Sequence, residues 1–321
     1  MTRRGSIVTR FAAAPVSLII AIAVFATLSP NFLAVDNISN IITQSCILAL
    51  FAVGQMFAIV TRGFDISVGS TAALASSVAA LSTNMVGLPG LITAPLVGLA
   101  IGTVNGLLIA TFRLQPIVVT LGSLIGARSV ALLVTEDGQT VVLDRADEVN
   151  GWAFDTVLGL PPAYWAALAA LACGAWVLHR SLIGRQLLML GSNPEAAALV
   201  GVNTARVERA AYQLCGIYAG LAGLLMTCRA GAGLPTEGSG MELQSIAAAV
   251  IGGTALTGGI ANVFVVVLGA VFIQTLLTGL NLMGISPYAA EIAIGFVIIA
   301  AGLLEFAIRQ IMLRHWNWRI T

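Results

Sequence analysis

Gly184-Arg-Gln-Leu-Leu-Met-Leu-Gly-Ser-Asn-Pro-Glu-Ala-Ala-Ala-Leu-Val-Gly-Val-Asn203 is the one stretch of this chain built to meet something in water, and it lies between two long apolar segments. Asn193 suits the cap of a short helix, Pro194 its first position, and Glu195 the positive end of its dipole. Ala196, Ala197 and the residues to Leu199 carry the turn, and Gly201 is a natural stop. A short capped helix isolated in a loop predicts a plug for a partner. The side of the membrane on which it falls decides how the rest of the chain is threaded.

That there is a membrane follows from composition. The 321 residues are 58% hydrophobic and only 9% charged, with a mean hydropathy of +0.98. Soluble domains carry about a quarter charged residues, so a water-soluble fold is excluded. A net charge of +1 gives no pull toward nucleic acid. Every basic residue is Arg, so the phosphate-binding loop that ends in Gly-Lys-Ser/Thr is absent and the chain is no ATPase of that type. Cys46, Cys173, Cys215 and Cys228 all fall in apolar segments, which reads as buried thiols and not as disulfides or metal ligands. His179 and His315 sit at span ends among Arg, and no nucleophile–base constellation appears, so neither catalytic nor metal-binding residues are expected.

Helical spans need about 20 apolar residues. Ten stretches qualify: Phe11–Leu28, Ile38–Thr61, Ile66–Met85, Leu91–Phe112, Pro116–Thr135, Pro161–His179, Val207–Thr227, Leu243–Leu256, Ile260–Leu282 and Tyr288–Ile308. The first follows Arg3, Arg4 and Arg10 like a secretory signal, but its apolar run is long and lacks a clean cleavage site, so it reads as a retained span. The third and eighth are the weakest, being short or rich in Ser, Thr and Gly. Arg placement sets the parity. With ten spans and cytoplasmic termini, the inner side receives Arg3, Arg4, Arg10, Arg62, Arg113, Arg180, Arg185, Arg206, Arg209, Arg309, Arg314 and Arg319, twelve of the fifteen. The fold class expected is therefore an all-α polytopic membrane protein of about ten transmembrane helices, one domain over 1–321, with 180–206 as a cytoplasmic loop. Residues 136–160 become an extracytoplasmic loop, with Glu136, Asp137, Asp144, Asp147, Glu148 and Asp155 against Arg145; it is either merely solvated or a docking surface. Weak spans at positions three and eight suggest two five-helix halves of opposite orientation, with the pathway near the weak spans.

Polar residues within or beside spans are the candidates for that pathway: Gln44, Gln55, Asp65, Ser67, Asn105, Thr120, Gln274 and Asn281, with Ser45, Ser123 and Gln244 of the same kind. Amides and hydroxyls exchange hydration for hydrogen bonds without a fixed charge, which suits a neutral, hydroxyl-bearing solute. Any one of them also serves as an ordinary interhelical bond. Asp65, in Gly63-Phe-Asp-Ile-Ser-Val-Gly-Ser70, reads either as a functional acid paired with Arg62 or as the cap of span three. Arg128 lies inside span five and has Glu242 or Glu291 as partners to seek across helices, or the outer surface to reach. The Gly252-Gly253-Thr-Ala-Leu-Thr-Gly258-Gly259 run lacks Lys, and its small residues permit close backbone approach.

Glu195-Ala196-Ala197-x-x-x-Gly201 resembles the Glu-Ala-Ala loop of ABC importer permeases, whose short coupling helix docks on an ATPase. Gly63-Phe-Asp-Ile-Ser-Val-Gly-Ser70, Leu114-Gln-Pro-Ile-Val-Val-Thr-Leu121, Gly184-Arg185, Gly238-x-Gly-Met-Glu-Leu243, Ile246-Ala-Ala-Ala-Val-Ile-Gly-Gly-Thr254 and Gly279-Leu-Asn-Leu-Met-Gly-Ile-Ser286 resemble, in order, the ribose-type sugar permeases, over about Asn31 to Leu304. Phe64, Gln55 and Ser192 depart from that pattern. The resemblance implies a multi-pass permease of the bacterial inner membrane that moves a ribose-like pentose, galactofuranose or similar sugar. Its implied partners are an ATPase subunit, which carries ATP and Mg while this chain holds no cofactor, an extracytoplasmic sugar-binding protein, and a second permease copy or paralogue. Asn193, Pro194, Glu195, Ala196, Ala197 and Gly201 become the coupling residues. Two alternatives stand: an ion-coupled secondary transporter using Asp65 or Glu242, and an ABC permease for branched-chain amino acids or another small polar solute.

Overall fold

A backbone in lipid has no water to bond, so long apolar runs in one chain satisfy themselves as helices. The computed structural model describes residues 3–144, 149, 151–152, 155–297, 299–300 and 302–303, the first eight by backbone alone. Its helices are α1 (Arg3–Leu28), α2 (Val35–Val60), α3 (Val68–Val86), α4 (Thr93–Phe112), α5 (Pro116–Val134), α6 (Pro162–Arg180), α7 (Leu182–Ser192), α8 (Pro194–Leu199), α9 (Thr204–Ala230), α10 (Met241–Ile251), α11 (Val263–Leu282) and α12 (Pro287–Val297). Nine of the expected spans coincide with a helix over most of their length, and the tenth does so over its first half, to Val297. Seven are long and apolar enough to cross a membrane. The other three are α3, α10 and α12. Ser70, Thr71, Ser76, Ser77 and Thr83 make α3 polar, yet all five are buried. With 11 residues, α10 is roughly 16 Å long, about half a hydrocarbon core. The stretch expected to end span ten at Ile308 lies outside the described residues, as do Arg309, Arg314, His315, Arg319, Arg145, Asp147, Glu148 and the side chains of Arg3, Arg4 and Arg10.

The centre of the bundle is α2, whose side chains from Leu48 to Val60 are buried. It packs on α9, α10, α11 and α6. The packing pairs repeat: α4 lies along α9 as α11 lies along α2, α3 lies on α9 as α10 lies on α2, and α3 touches α4 as α10 touches α11. Lipid tails are as apolar as Leu, so burial of oil gives little drive for helices to associate, and close contact through small residues takes its place. The α4–α9 seam shows this. Gly98, Gly102 and Gly106 recur every four residues on α4, and a Cβ at Gly102 would stand 2.3 Å from the Tyr212 carbonyl oxygen of α9.

One irregular segment enters the bundle. Between α9 and α10, residues 234–240 run back along α3: Leu234 N–H donates to Ser76 Oγ at 3.2 Å, and Gly238 abuts Gly69 at the start of α3. Non-helical backbone within a membrane protein needs partners of its own. Arg128 of α5 supplies them, donating from one terminal nitrogen to the carbonyls of Pro235 and Glu237, each at 2.7 Å, and from the other to Ser239 Oγ at 3.4 Å. The sequence left Arg128 a carboxylate or the outer surface to reach; its hydrogen bonds go to peptide oxygens that have no helix to bond within, while Glu242 and Glu237 act on it through charge. At the same end of the bundle, β1 (Val141–Val142) pairs antiparallel with β2 (Ala232–Gly233), and Asn84 of α3 brackets β1 through Val142 O and Asp144 N.

Candidate functional site

Three groups of residues could carry function, and the structure keeps them apart. The first is the segment Leu182–Asn203. Asn193 Oδ1 accepts from Ala196 N–H at 3.0 Å, and Pro194 begins α8, as the sequence predicts. Gly201 has φ +82 and closes the helix, with Gly201 N–H bonding Ala198 O and Val202 N–H bonding Ala197 O, the paired pattern of a Schellman cap. Glu195 and Ala196 are exposed, and Leu199 and Val200 present apolar side chains to solvent at 89% and 67% exposure. Ala197 is the exception: it is 1% exposed and turns into the chain's own surface.

The second group is a buried polar cluster. Asp65 Oδ1 accepts from Ser67 N–H at 2.9 Å and Ser67 Oγ at 2.5 Å, tying off the turn that leads into α3. Asn105 of α4 donates to Asp65 Oδ2 at 3.4 Å and to Ser67 Oγ at 3.1 Å, and Ser123 of α5 donates to Asn105 Oδ1. The Gln55 amide, in the orientation that satisfies both its ends, donates to Asp65 O at 3.0 Å and accepts from Asp65 N–H at 3.2 Å. Burial pushes the Asp65 carboxyl above the usual carboxylate range, and the Ser67 and Asn105 bonds offset part of that rise. Arg62 is not its partner. Arg62 turns the other way, to the end of α7, because the last carbonyls of a helix are orphan acceptors for a cation.

The third group lines a cleft of about 310 Å³ between α2, α10 and α11, walled by Asn37, Asn40, Gln44, Gln244, Gln274 and Asn281, with Thr278 and three apolar side chains. Gln44 donates to Asn40 Oδ1 at 2.9 Å and Gln274 to Thr278 Oγ1 at 3.3 Å, so part of the wall's capacity is engaged and part faces the opening. No lining residue is charged.

Of the eight pathway candidates, the structure therefore gathers Gln44, Gln274 and Asn281 at the cleft and Gln55, Asp65, Ser67 and Asn105 in the buried cluster. Thr120 joins neither: its hydroxyl donates to Pro116 O of its own helix at 2.9 Å. Sequence reasoning missed Asn37, Asn40 and Thr278. The signal was present, since Asn37, Asn40 and Gln44 follow the helical spacing of one face. Among the cysteines, Cys46, Cys215 and Cys228 are buried, but Cys173 is exposed on the outward face of α6.

Comparison with known proteins agrees with this architecture. The family described as "Branched-chain amino acid transport system / permease component" matches residues 37–302. The chain is 35% identical over 294 residues to the ribose import permease protein RbsC of Escherichia coli K12, covering 90% of this chain and 92% of that one. It is 36% identical over 302 residues to the D-allose transport system permease protein AlsC of the same strain, covering 90% and 89%. It is 33% identical over 301 residues to the autoinducer 2 import system permease protein LsrC of Klebsiella pneumoniae, covering 93% and 87%. No solved structure matches significantly. With most of its length matched and its helices arranged as a polytopic bundle, the chain belongs to the branched-chain amino acid transport system permease-component family.

Proposed function

We propose that the chain is the membrane permease subunit of a binding-protein-dependent ABC importer, and that it passes a small neutral sugar inward while a separate subunit hydrolyses ATP. The carrying observation is likeness over nine-tenths of the chain to permeases named for ribose, D-allose and autoinducer-2 import. The cleft supports the same cargo class. Its amides can match sugar hydroxyls as donor and acceptor. Arg229 bonds the lining Asn40 Oδ1 at 3.5 Å, but no lining side chain is an anion that could meet an ammonium, which favours a sugar over the amino acid in the family's description.

In this reading α8 docks on the ATPase through Leu199 and Val200, with Asn193, Pro194, Glu195, Ala196 and Gly201 shaping the helix, while Ala197 seats it. Residues 180–206 and both termini lie on the cytoplasmic side, and 136–160 faces outward toward a sugar-binding protein. Ten spans cross or enter the bacterial inner membrane as two inverted halves, which the repeated packing pairs support. Two permease copies, or this chain and a paralogue, complete the core. The pathway uses Gln44, Gln274 and Asn281, joined by Asn37, Asn40 and Gln244. The buried Gln55, Asp65, Ser67, Asn105 and Thr120 hold the bundle that carries it.

The test is uptake into vesicles holding the permease with its ATPase and binding protein, with ribose, allose and leucine as probes. ATP-dependent uptake of a sugar is the expected result. Uptake by this chain alone, driven by an ion gradient, would instead establish the secondary transporter.

A further inference from the structure

Arg62 stands where three elements meet. It follows α2 and holds φ +71, a left-handed conformation that costs a non-glycine residue energy and persists where surrounding contacts hold it. Its Nε donates to Gly191 O at 2.8 Å and a terminal nitrogen to Ser192 O at 3.0 Å, so a cation caps the C-terminal carbonyls of α7. The loop that leads into α11 closes the third side. Gly259 N–H donates to Val60 O at 3.0 Å, the Ser192 hydroxyl reaches Gly259 O at 3.5 Å, and Gly258 lies against the Arg62 stem, where an added Cβ would come within 2.7 Å of Cγ. The approach leaves no slack: a Cβ on Gly191 would stand 1.8 Å from Val60 O and 2.4 Å from Gly259 N. Only Asn193 separates α7 from α8. The two helices that leave this meeting point, α2 and α11, both line the cleft, through Gln44 and Gln274 among others. From Arg62 to Gln44 is 18 residues of α2 and the turn after it, a lever of about 27 Å.

We propose that Arg62 is the positioning residue of a joint that carries displacement of the α7–α8 pair to α2 and α11, and so changes the width of the amide-lined cleft. The inference rests on the reading of α8 as the docking helix for an ATPase. Paired hydrogen bonds from a planar guanidinium fix both the distance and the angle between α7 and α2, and the glycine contacts forbid the loop from sliding past them. Movement of α8 therefore reaches the cleft walls as movement of whole helices.

The test uses the assembled complex, with the exposed Cys173 replaced by Ser and spin labels at Asn37→Cys and Asn281→Cys across the cleft. Label separation is measured without nucleotide and with ATP and vanadate. With Arg62 intact, a shift between the two states is expected; absence of the shift overturns the importer reading and this joint with it. With Arg62→Ala, the shift is expected to vanish while ATP hydrolysis stays within about twofold, the ATPase still co-purifies and the complex melts as before. Arg62→Gly removes the same guanidinium and accepts φ +71 without strain, so it answers the question if the alanine variant folds poorly. Arg62→Lys, with one point donor in place of a fork, is expected to restore only part of the shift. A full shift in the Ala or Gly variant, with the intact protein behaving as expected, overturns the joint and leaves the importer reading standing.

Discussion

Replacing Asn105 by Ala tests whether a buried amide in this bundle builds structure or serves the cargo. Asn105 is 0% exposed and makes three side-chain bonds, to Asp65, to Ser67 and from Ser123. Side-chain hydrogen bonds between membrane helices average about 0.6 kcal/mol, so the three together amount to about 2 kcal/mol. Ser123 is only half-buried and Asp65 keeps the Cys215 thiol as a partner, so the loss leaves neither wholly unpaired. Asn105→Ala is thus expected to destabilise the protein by about 2 kcal/mol, read as a shift in the unfolding curve in mixed micelles of increasing SDS fraction. Asn281→Ala is the control. Asn281 is exposed at the cleft, and its truncation is expected to change stability by less than about 0.5 kcal/mol while reducing uptake in vesicles. If Asn105→Ala unfolds with the parent curve, or Asn281→Ala proves the more destabilising, the division between structural cluster and pathway fails.

Three other substitutions probe separate parts of the structure. Gly102→Val must force α4 and α9 apart by about 1 Å to reach normal contact distances, and is expected to abolish the monodisperse peak in detergent chromatography. Leu199→Glu is expected to lose the co-purifying ATPase with an unchanged melting temperature, whereas Ala197→Glu, at a 1% exposed position, is expected to lower the melting temperature as well. Asp65 has a folded-state pKa raised by burial, so its contribution to stability is present below the unfolded aspartate value and is lost as pH rises through the raised one. Asp65→Asn is expected to remove that decline from a plot of stability against pH.

Hydropathy located the seven helices that are long and apolar enough to span, and it marked α3 and α10 as different in kind. It could not say why they differ. The polarity of α3 is absorbed by burial against α9, and the short α10 is preceded by the irregular segment 234–240, which lies along α3. For Arg62 and Arg128 the sequence left alternatives open, because a helix end and an irregular segment leave carbonyls that a guanidinium satisfies as well as it does a carboxylate. Inward-facing amides carry the same signature in sequence whether they meet a cavity or one another, so Gln55 and Gln44 looked alike. The Gly98, Gly102, Gly106 spacing was fully legible and went unread, hidden in a strongly apolar run.

The strand pair Val141–Val142 with Ala232–Gly233 has a consequence for how the chain spends its time. Two residues per strand contribute only a couple of backbone bonds, but Leu143 N–H also donates to Gly231 O at 3.1 Å and Asn84 holds both Val142 O and Asp144 N–H. At about 0.5–1.5 kcal/mol net per bond, the set amounts to several kcal/mol. The loop therefore spends nearly all its time fastened, and a partner that displaced 141–144 would carry the 231–233 backbone and the end of α9 with it.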